Sequence, residues 1–349
     1  MATTTTNYGF DVPTSSDLVK NGATQIALLG QDLDTFLFRP FTKNVIINGG
    51  MDIWQRGTSS ATQGAYTTAD RWWMNAASTT FSQETTVVPT GSRYSLKALT
   101  SGTTTVQFRQ AIETMNAIGL AGKTVTLSGE YQASSTTTIL TKLFYSTSVD
   151  VAVSGSWTEI TATSGGTVSA INGSFTKSSS VFAVPSTAKS LMVLFDTGSV
   201  STGLSLYYAN IQLEIGTQSS PFTRAGGTIQ GELAACQRYY YRLPATTATD
   251  RYLGNGMAWS ATASMIGFTY PVTMRIRPTA LEQSGTAADY ATVRSQSSTD
   301  NCTAVPAFSN STSSSMGWVT GTSANLVAGN ATMFYTNNTN AYLGWSAEL

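Results

Sequence analysis

The 349-residue chain carries 19 Lys+Arg and 19 Asp+Glu, so it is neutral, and only 11% of its residues are charged, far below the ~25% of an ordinary soluble domain. Such a chain presents no electrostatic footprint to nucleic acid or to an anionic membrane, and neither is expected as a partner. Histidine is absent, which removes Ser-His-Asp and Cys-His nucleophiles and imidazole-based metal sites; no cofactor is expected.

The first thirteen residues are low in complexity and read as an extended arm. In TSSDLVKNGATQIALLGQDLDTFLF, Thr14, Ser15 or Ser16 is placed to cap a helix. Val19, Gly22, Ile26, Leu29, Leu33 and Phe36 then recur in alternating steps of three and four. That is the a/d seam of a coiled coil, and Ile and Leu at both positions lean towards three strands. Val19, Ile26, Leu29, Leu33 and Phe36 are therefore the expected oligomerisation residues, although three heptads are too short to hold alone. An amphipathic helix docked on its own domain is the competing reading.

From residue 41 the period changes to two. TVTLSGEYQA (124–133), ILTKLFY (139–145) and SLMVLF (190–195) read as strands, the last covered on both faces. In GLSLYYANIQLEIG the apolar phase slips, which predicts a bulge near Tyr208–Asn210. GELAACQRYY has helical spacing and marks a boundary near 226–240. SMIGFTYPV, MFYTN and AYLGWSAEL read as further strands, and TDNCTAVPAFSNSTSSSMGW as long loops. Cys236 is expected to be a free buried thiol; nothing in the spacing supports a disulfide to Cys302. No run approaches the ~18 apolar residues of a membrane span. MATTTTNYGF lacks the basic and apolar segments of a secretion signal, so cytosolic synthesis is expected.

The expected fold is mainly β: a short trimeric coiled coil (1–40), a jelly-roll-like antiparallel sandwich (41–226), and a linker helix with a second sandwich (227–349). Charge concentrates in NVIINGGMDIWQRG (44–57) and AYTTADRWW (65–73), which bring Asp52, Arg56, Asp70 and Arg71 beside three tryptophans. With no histidine and only scattered acids, this reads as a structural cluster, and Arg56–Asp70 is the expected pair. Trp72 and Trp73 are neighbours and point to opposite faces of a strand, so one of them leaves the core. Trp73 and Trp318 are the glycan-binding candidates, because a pyranose stacks on an exposed indole.

DVPTSSDLVKNGATQIALLGQDLDTFL resembles the N-terminal segment of bacteriophage tail and fibre proteins. INGGMDIWQRGTS, YTTADRWW, YYANIQLEIGTQSSPF and ELAACQRYYYR, in that order, resemble the jelly-roll module of such proteins, which is related to carbohydrate-binding modules. AYLGWSAEL is similar to the last strand of many fibre C-terminal domains. The resemblance implies a homotrimeric virion protein, assembled in a host cytoplasm. It would attach to a tail or capsid protein through residues 1–40 and bind a host surface glycan without catalysis. A structural virion component, such as a capsid decoration fibre or tail adaptor, is the alternative; a polysaccharide depolymerase comes behind both. Related modules carry a structural calcium, and Asn48, Asp52 and Glu214 lie in the matching motifs, but the acidic density is missing and no metal is predicted.

Overall fold

Alternation over residues 124–133 turns Val125, Leu127, Tyr131 and Ala133 inward and Glu130 and Gln132 outward, and the strand Thr124–Ala133 forms as that pattern requires. The computed structural model describes residues 3–4, 11–12, 21–38, 44–244, 252–278, 280–294, 299–310 and 314–349. Between residues 59 and 215 fourteen strands form two layers. In one, Thr79–Glu84, Ser95–Thr100, Ser205–Ile215, Thr124–Ala133 and Thr176–Ala183 run side by side. In the other, Trp73–Asn75, Thr104–Ile112, Ser190–Val200 and Thr137–Ser146 do so. Pairing is antiparallel apart from a two-residue parallel contact of Thr167–Asn172 with Thr124–Ala133.

Between the layers an aromatic chain fills the core. Trp72 meets Phe108 edge-on at 5.1 Å, Phe108 stacks on Phe195 at 4.8 Å, and Tyr208 closes on Phe108 at 4.6 Å. Residues 190–195 are buried on both faces, as their unbroken apolar run predicts. The register shift expected near Tyr208–Asn210 falls between Ala209 and Gln212, and Asn210 there adopts φ 53°.

Thr228 caps the helix Ile229–Gln237 by accepting from Gly231 N at 3.1 Å. The helix is shorter than GELAACQRYY predicts, because Tyr240–Pro244 pairs with Tyr342–Ser346 and Tyr239 O accepts from Ala347 N at 2.7 Å. Sheet pairing outweighs helical spacing here. Cys236 and Cys302 are both free and buried.

The C-terminal region is not a second sandwich. Tyr252–Ala258, Ala263–Thr269, Met316–Ser323, Thr299–Asn310, Tyr290–Val293 and Ala331–Thr336 close into a six-stranded barrel. Closure removes both sheet edges, and glycine permits the curvature: a Cβ on Gly256 would lie 2.1 Å from Met265 O. The predicted loops at 299–318 contain two of these strands. Thr299–Asn310 escapes the alternation test because three register shifts interrupt it, with Pro306 inside one of them. Beneath the barrel, Tyr240–Pro244, Tyr342–Ser346 and Leu281–Gln283 form a three-stranded sheet around the buried Trp345.

Near the N-terminus a helix spans Gly22–Phe38. Ile26 is 65% and Leu33 45% exposed, so among the described residues nothing covers these two seam positions. Gly22 and Leu29 are half-buried. Val19, the capping residues 14–16 and the side chain of Phe36 lie outside the described residues.

Candidate functional site

The two charged motifs singled out in the sequence meet, and they meet closed. Asn48, with φ 58°, accepts Asp52 N (2.8 Å) and Ile53 N (2.9 Å) on Oδ1 and donates from Nδ2 to Ile53 O (2.8 Å) and Asp70 O (3.0 Å). Its own carbonyl accepts from the Trp72 indole at 3.0 Å. Gly49 follows because a side chain would strike Ile211 O, 1.9 Å from a Cβ built there. Ile46, Met51 and Trp72 join the sandwich core, and Ile53 packs in a satellite cluster with Cys236, Tyr239 and Leu349.

Arg56 does not pair with Asp70. Its Nη1 bonds Glu348 Oε1 at 3.1 Å, and its guanidinium lies 3.5 Å from the Tyr240 ring centroid. Arg71 bonds the other Glu348 oxygen, donates to Ala111 O at 2.7 Å, and lies 3.5 Å from the Tyr239 ring centroid. Asp70 instead accepts from Gln55 N at 2.9 Å and from the Gln55 amide. Burial would pull both guanidinium groups down, but Glu348 between them holds both above their ordinary value. Burial pushes the Asp70 carboxyl up to about 6, against the opposing pull of Arg56 and the Gln55 hydrogen bonds. Tyr66 Oη donates to Leu349 O at 3.1 Å, and Arg275 donates to Ala347 O and Glu348 O, both at 2.8 Å. The cluster is a junction that fixes the chain's last residues to the sandwich, with side chains 1–6% exposed at its ion pairs. A ligand has no access to it.

The opposite layer is different. On its outer face a cavity of about 450 Å³ opens between the turn at 90–92 and the segment 221–224. Asp52 leaves the junction for this side and accepts from Arg224 Nε at 2.8 Å, a bond that raises the Arg224 guanidinium above its ordinary value. On the floor, Glu130 and Lys177 are directly opposite on adjacent strands, a spacing at which charges normally pair. They do not. Lys177 Nζ donates to Ser220 O at 2.6 Å, while Glu130 Oε1 accepts from Asn210 Nδ2 at 2.9 Å. Asn210, held in a left-handed conformation by the bulge, also exchanges hydrogen bonds with Ser92 at 2.9 and 3.2 Å. Half-buried Phe222 supplies the apolar wall. An ammonium, a carboxylate and an amide thus face one space beside an aromatic ring.

Behind this floor the same strands carry a closed polar network. Glu214 accepts from Ser220 N and Oγ, both at 2.7 Å, and from Gln212 Nε2 at 2.7 Å. Gln212 Oε1 in turn accepts from Thr223 N at 2.9 Å. These bonds fix the segment that carries Phe222 and Arg224. They also use up Glu214, as the turn uses up Asn48, so Asn48, Asp52 and Glu214 do not converge as a calcium set. Among the described residues no group of three or more acidic or cysteine side chains is placed to hold a metal.

Neither tryptophan proposed for glycan binding lies in this cavity. Trp73 leaves the core, as its neighbour's burial requires, and packs half-buried with Arg109 at 4.1 Å from its ring centroid. Trp318 lies on the barrel wall, its ring over Gly267. Sequence reasoning missed Glu130, Lys177, Asn210, Phe222 and Arg224; the phase slip at 208–210 was the one visible signal.

No protein-family model and no curated protein matches the sequence. Among solved structures the chain is similar to a family 4 carbohydrate-binding module, at 17% identity over 48% of this chain and 98% of that one, TM-score 0.32. It is also similar to a sugar-binding protein described for Bacteroides thetaiotaomicron (13%, 50% and 100%, TM-score 0.36). A third is the enzymatically active domain of bacteriophage CBA120 tailspike protein 4 (14%, 50% and 21%, TM-score 0.33).

Proposed function

We propose that the chain is a glycan-binding protein whose site is the cavity between residues 90–92 and 221–224. The observation that carries this reading is the unpaired floor. Glu130 and Lys177 are neighbours held apart by Asn210 and Ser220, which leaves acceptor and donor capacity aimed at one volume beside Phe222. Sugar hydroxyls both donate and accept, so adjacent hydroxyls of a pyranose match such a floor while a ring face packs on Phe222. The site binds and does not cleave. In this reading the cavity's two carboxylates serve binding, Asp52 in its pair with Arg224 and Glu130 as an acceptor steadied by Asn210.

In the reading proposed here, which the sequence resemblance supports, the chain is a bacteriophage fibre protein, assembled in the host cytoplasm and attached to a tail or capsid protein by residues 1–40. Association into a homotrimer through the N-terminal helix accounts for the exposure of Ile26 and Leu33. Glycan-array and cell-adsorption measurements on the full chain test the assignment. Binding that Phe222→Ala abolishes supports it, and failure to adsorb to any host cell favours the purely structural virion component. Release of reducing ends from host polysaccharide would overturn the non-catalytic reading.

A further inference from the structure

Trp259 is the most exposed large apolar side chain among the described residues, at 69%. It sits in the turn between the first two barrel strands, after Tyr252–Ala258 and before Ala263–Thr269. Strand register puts this turn, the end of Met316–Ser323 and the start of Ala331–Thr336 at one end of the barrel: Ala263 faces Thr322 and Met257 faces Ala331. The other end holds Tyr270 against Trp345 and leads to the junction, so the Trp259 end points away from the sandwich.

The tip is cross-tied. Ala258 N donates to Asn330 O (2.8 Å), Gly329 N to Ala258 O (2.9 Å), Leu326 N to Ala261 O (2.9 Å) and Ser323 N to Thr262 O (3.0 Å). The indole therefore projects from a fixed platform, which lowers the ordering cost of packing a ligand on it. From Asn330, whose carbonyl accepts from Ala258 N one residue before Trp259, a cavity of about 750 Å³ runs along the outer wall past Asn255, Met333 and Tyr335, within the ~300–1,000 Å³ of small-molecule sites. Tyr335 is half-buried and braced edge-on by Tyr252 at 6.2 Å.

Charge narrows the ligand class. Residues 258–263 (AWSATA) and 323–331 (SANLVAGNA) contain no charged side chain. Arg294, at the cavity's edge, is neutralised by Asp300 at 2.6 Å and tied to Asn325 O at 3.1 Å. An anionic lipid surface requires free cations, which these segments lack. Aromatic faces interleaved with asparagine amides match the apolar ring faces and hydroxyl rims of a neutral sugar. We propose that this end of the barrel is a second glycan-binding site, separate from the sandwich cavity, which takes an uncharged oligosaccharide. One pyranose lies on Trp259, and the following residues run along Asn330 and Asn255 towards Tyr335.

Titration calorimetry of the full chain tests this, using uncharged β-1,4-linked gluco-, manno-, galacto- and N-acetylglucosamine oligomers. An oligomer that Phe222→Ala still binds should be bound at least about tenfold more weakly by Trp259→Ala, and more weakly also by Tyr335→Ala. Because Trp259 is exposed, Trp259→Ala should melt at the wild-type temperature. The proposal falls if no oligomer remains bound to Phe222→Ala, or if Trp259→Ala binds as well as wild type. It falls equally if Trp259→Ala changes the mass by light scattering, which would mark the tip as a contact between copies. Binding to neutral phosphatidylcholine vesicles that is lost in Trp259→Ala would assign the tip to lipid instead.

Discussion

The sandwich carries a group of charges on each outer side, and the two groups have been treated oppositely by the fold. At the junction the side chains of Arg56, Arg71, Glu348 and Asp70 are buried: the two guanidinium groups lie over Tyr240 and Tyr239 and share Glu348, Arg71 also donates to Ala111 O, and Asp70 accepts from Gln55. In the cavity, Asp52 and Arg224 pair at the rim, while Glu130 and Lys177 face the opening without meeting. The same residue types serve cohesion where desolvation is complete and recognition where water is admitted. What separates them is access: Glu348 and Leu349 close one face, and none of the described residues closes the other.

Removing Glu348 tests the closed side most severely. Glu348→Ala leaves two buried guanidinium groups sharing no carboxylate and should destabilise the chain by about 3–5 kcal/mol in urea unfolding. Glu348→Gln should lose less, since its amide oxygen still accepts one of the two bonds. An Arg224→Met change at the open rim should shift the same curve by under about 1 kcal/mol, because that pair is partly solvated. Equal effects at the two positions would erase the distinction.

Asn48→Ala comes next. It removes a side chain that makes four hydrogen bonds within one turn, and about 2–4 kcal/mol should be lost, much of it from buried donors left unpaired.

Asp70 gives the comparison a pH signature. In the folded chain it keeps its proton up to about pH 6, whereas unfolded it releases it near the ordinary 3.8. Between those values the native state binds more protons, so stability from this group is fully present below pH 3.8, declines as pH rises to 6, and is level above. Asp70→Asn should flatten that decline, of order 2–3 kcal/mol. An unchanged pH profile would show that Asp70 ionises freely and that the junction is wetter than its burial implies.

Much of the sandwich was legible because burial on one face writes itself as alternation. Residues 124–133 and 190–195 are strands as read, and the slip in 204–215 is a bulge. The barrel was not, because bulges and Pro306 break the period of Thr299–Asn310 just where the sheet must curl. The sequence brought the charged cluster together but not its partner, Glu348. Glu348 lies 292 positions from Arg56, and no local pattern marks a carboxylate as the counter-ion of a distant arginine. Trp259 escaped for a related reason. Exposure at a turn carries no periodic signal, and the tryptophans picked from the sequence, Trp73 and Trp318, proved to be covered by Arg109 or laid over Gly267.

The N-terminal helix offers the smallest perturbation of the globular regions. Light scattering of the full chain should return three times 36.9 kDa, and Ile26→Asp with Leu33→Asp should return a single-chain mass with an unchanged sandwich and barrel. A single-chain mass for the unmodified protein would remove the trimer.

The open cavity is the centre of the functional account, and one titration addresses it directly. Full-length wild type, Phe222→Ala and Glu130→Gln should be compared by calorimetry against the glycan that the array selects. The account predicts saturable binding by wild type, weakened at least about tenfold by each substitution, with melting temperatures within a few degrees of one another. Identical affinities for all three proteins would place the glycan elsewhere and contradict it.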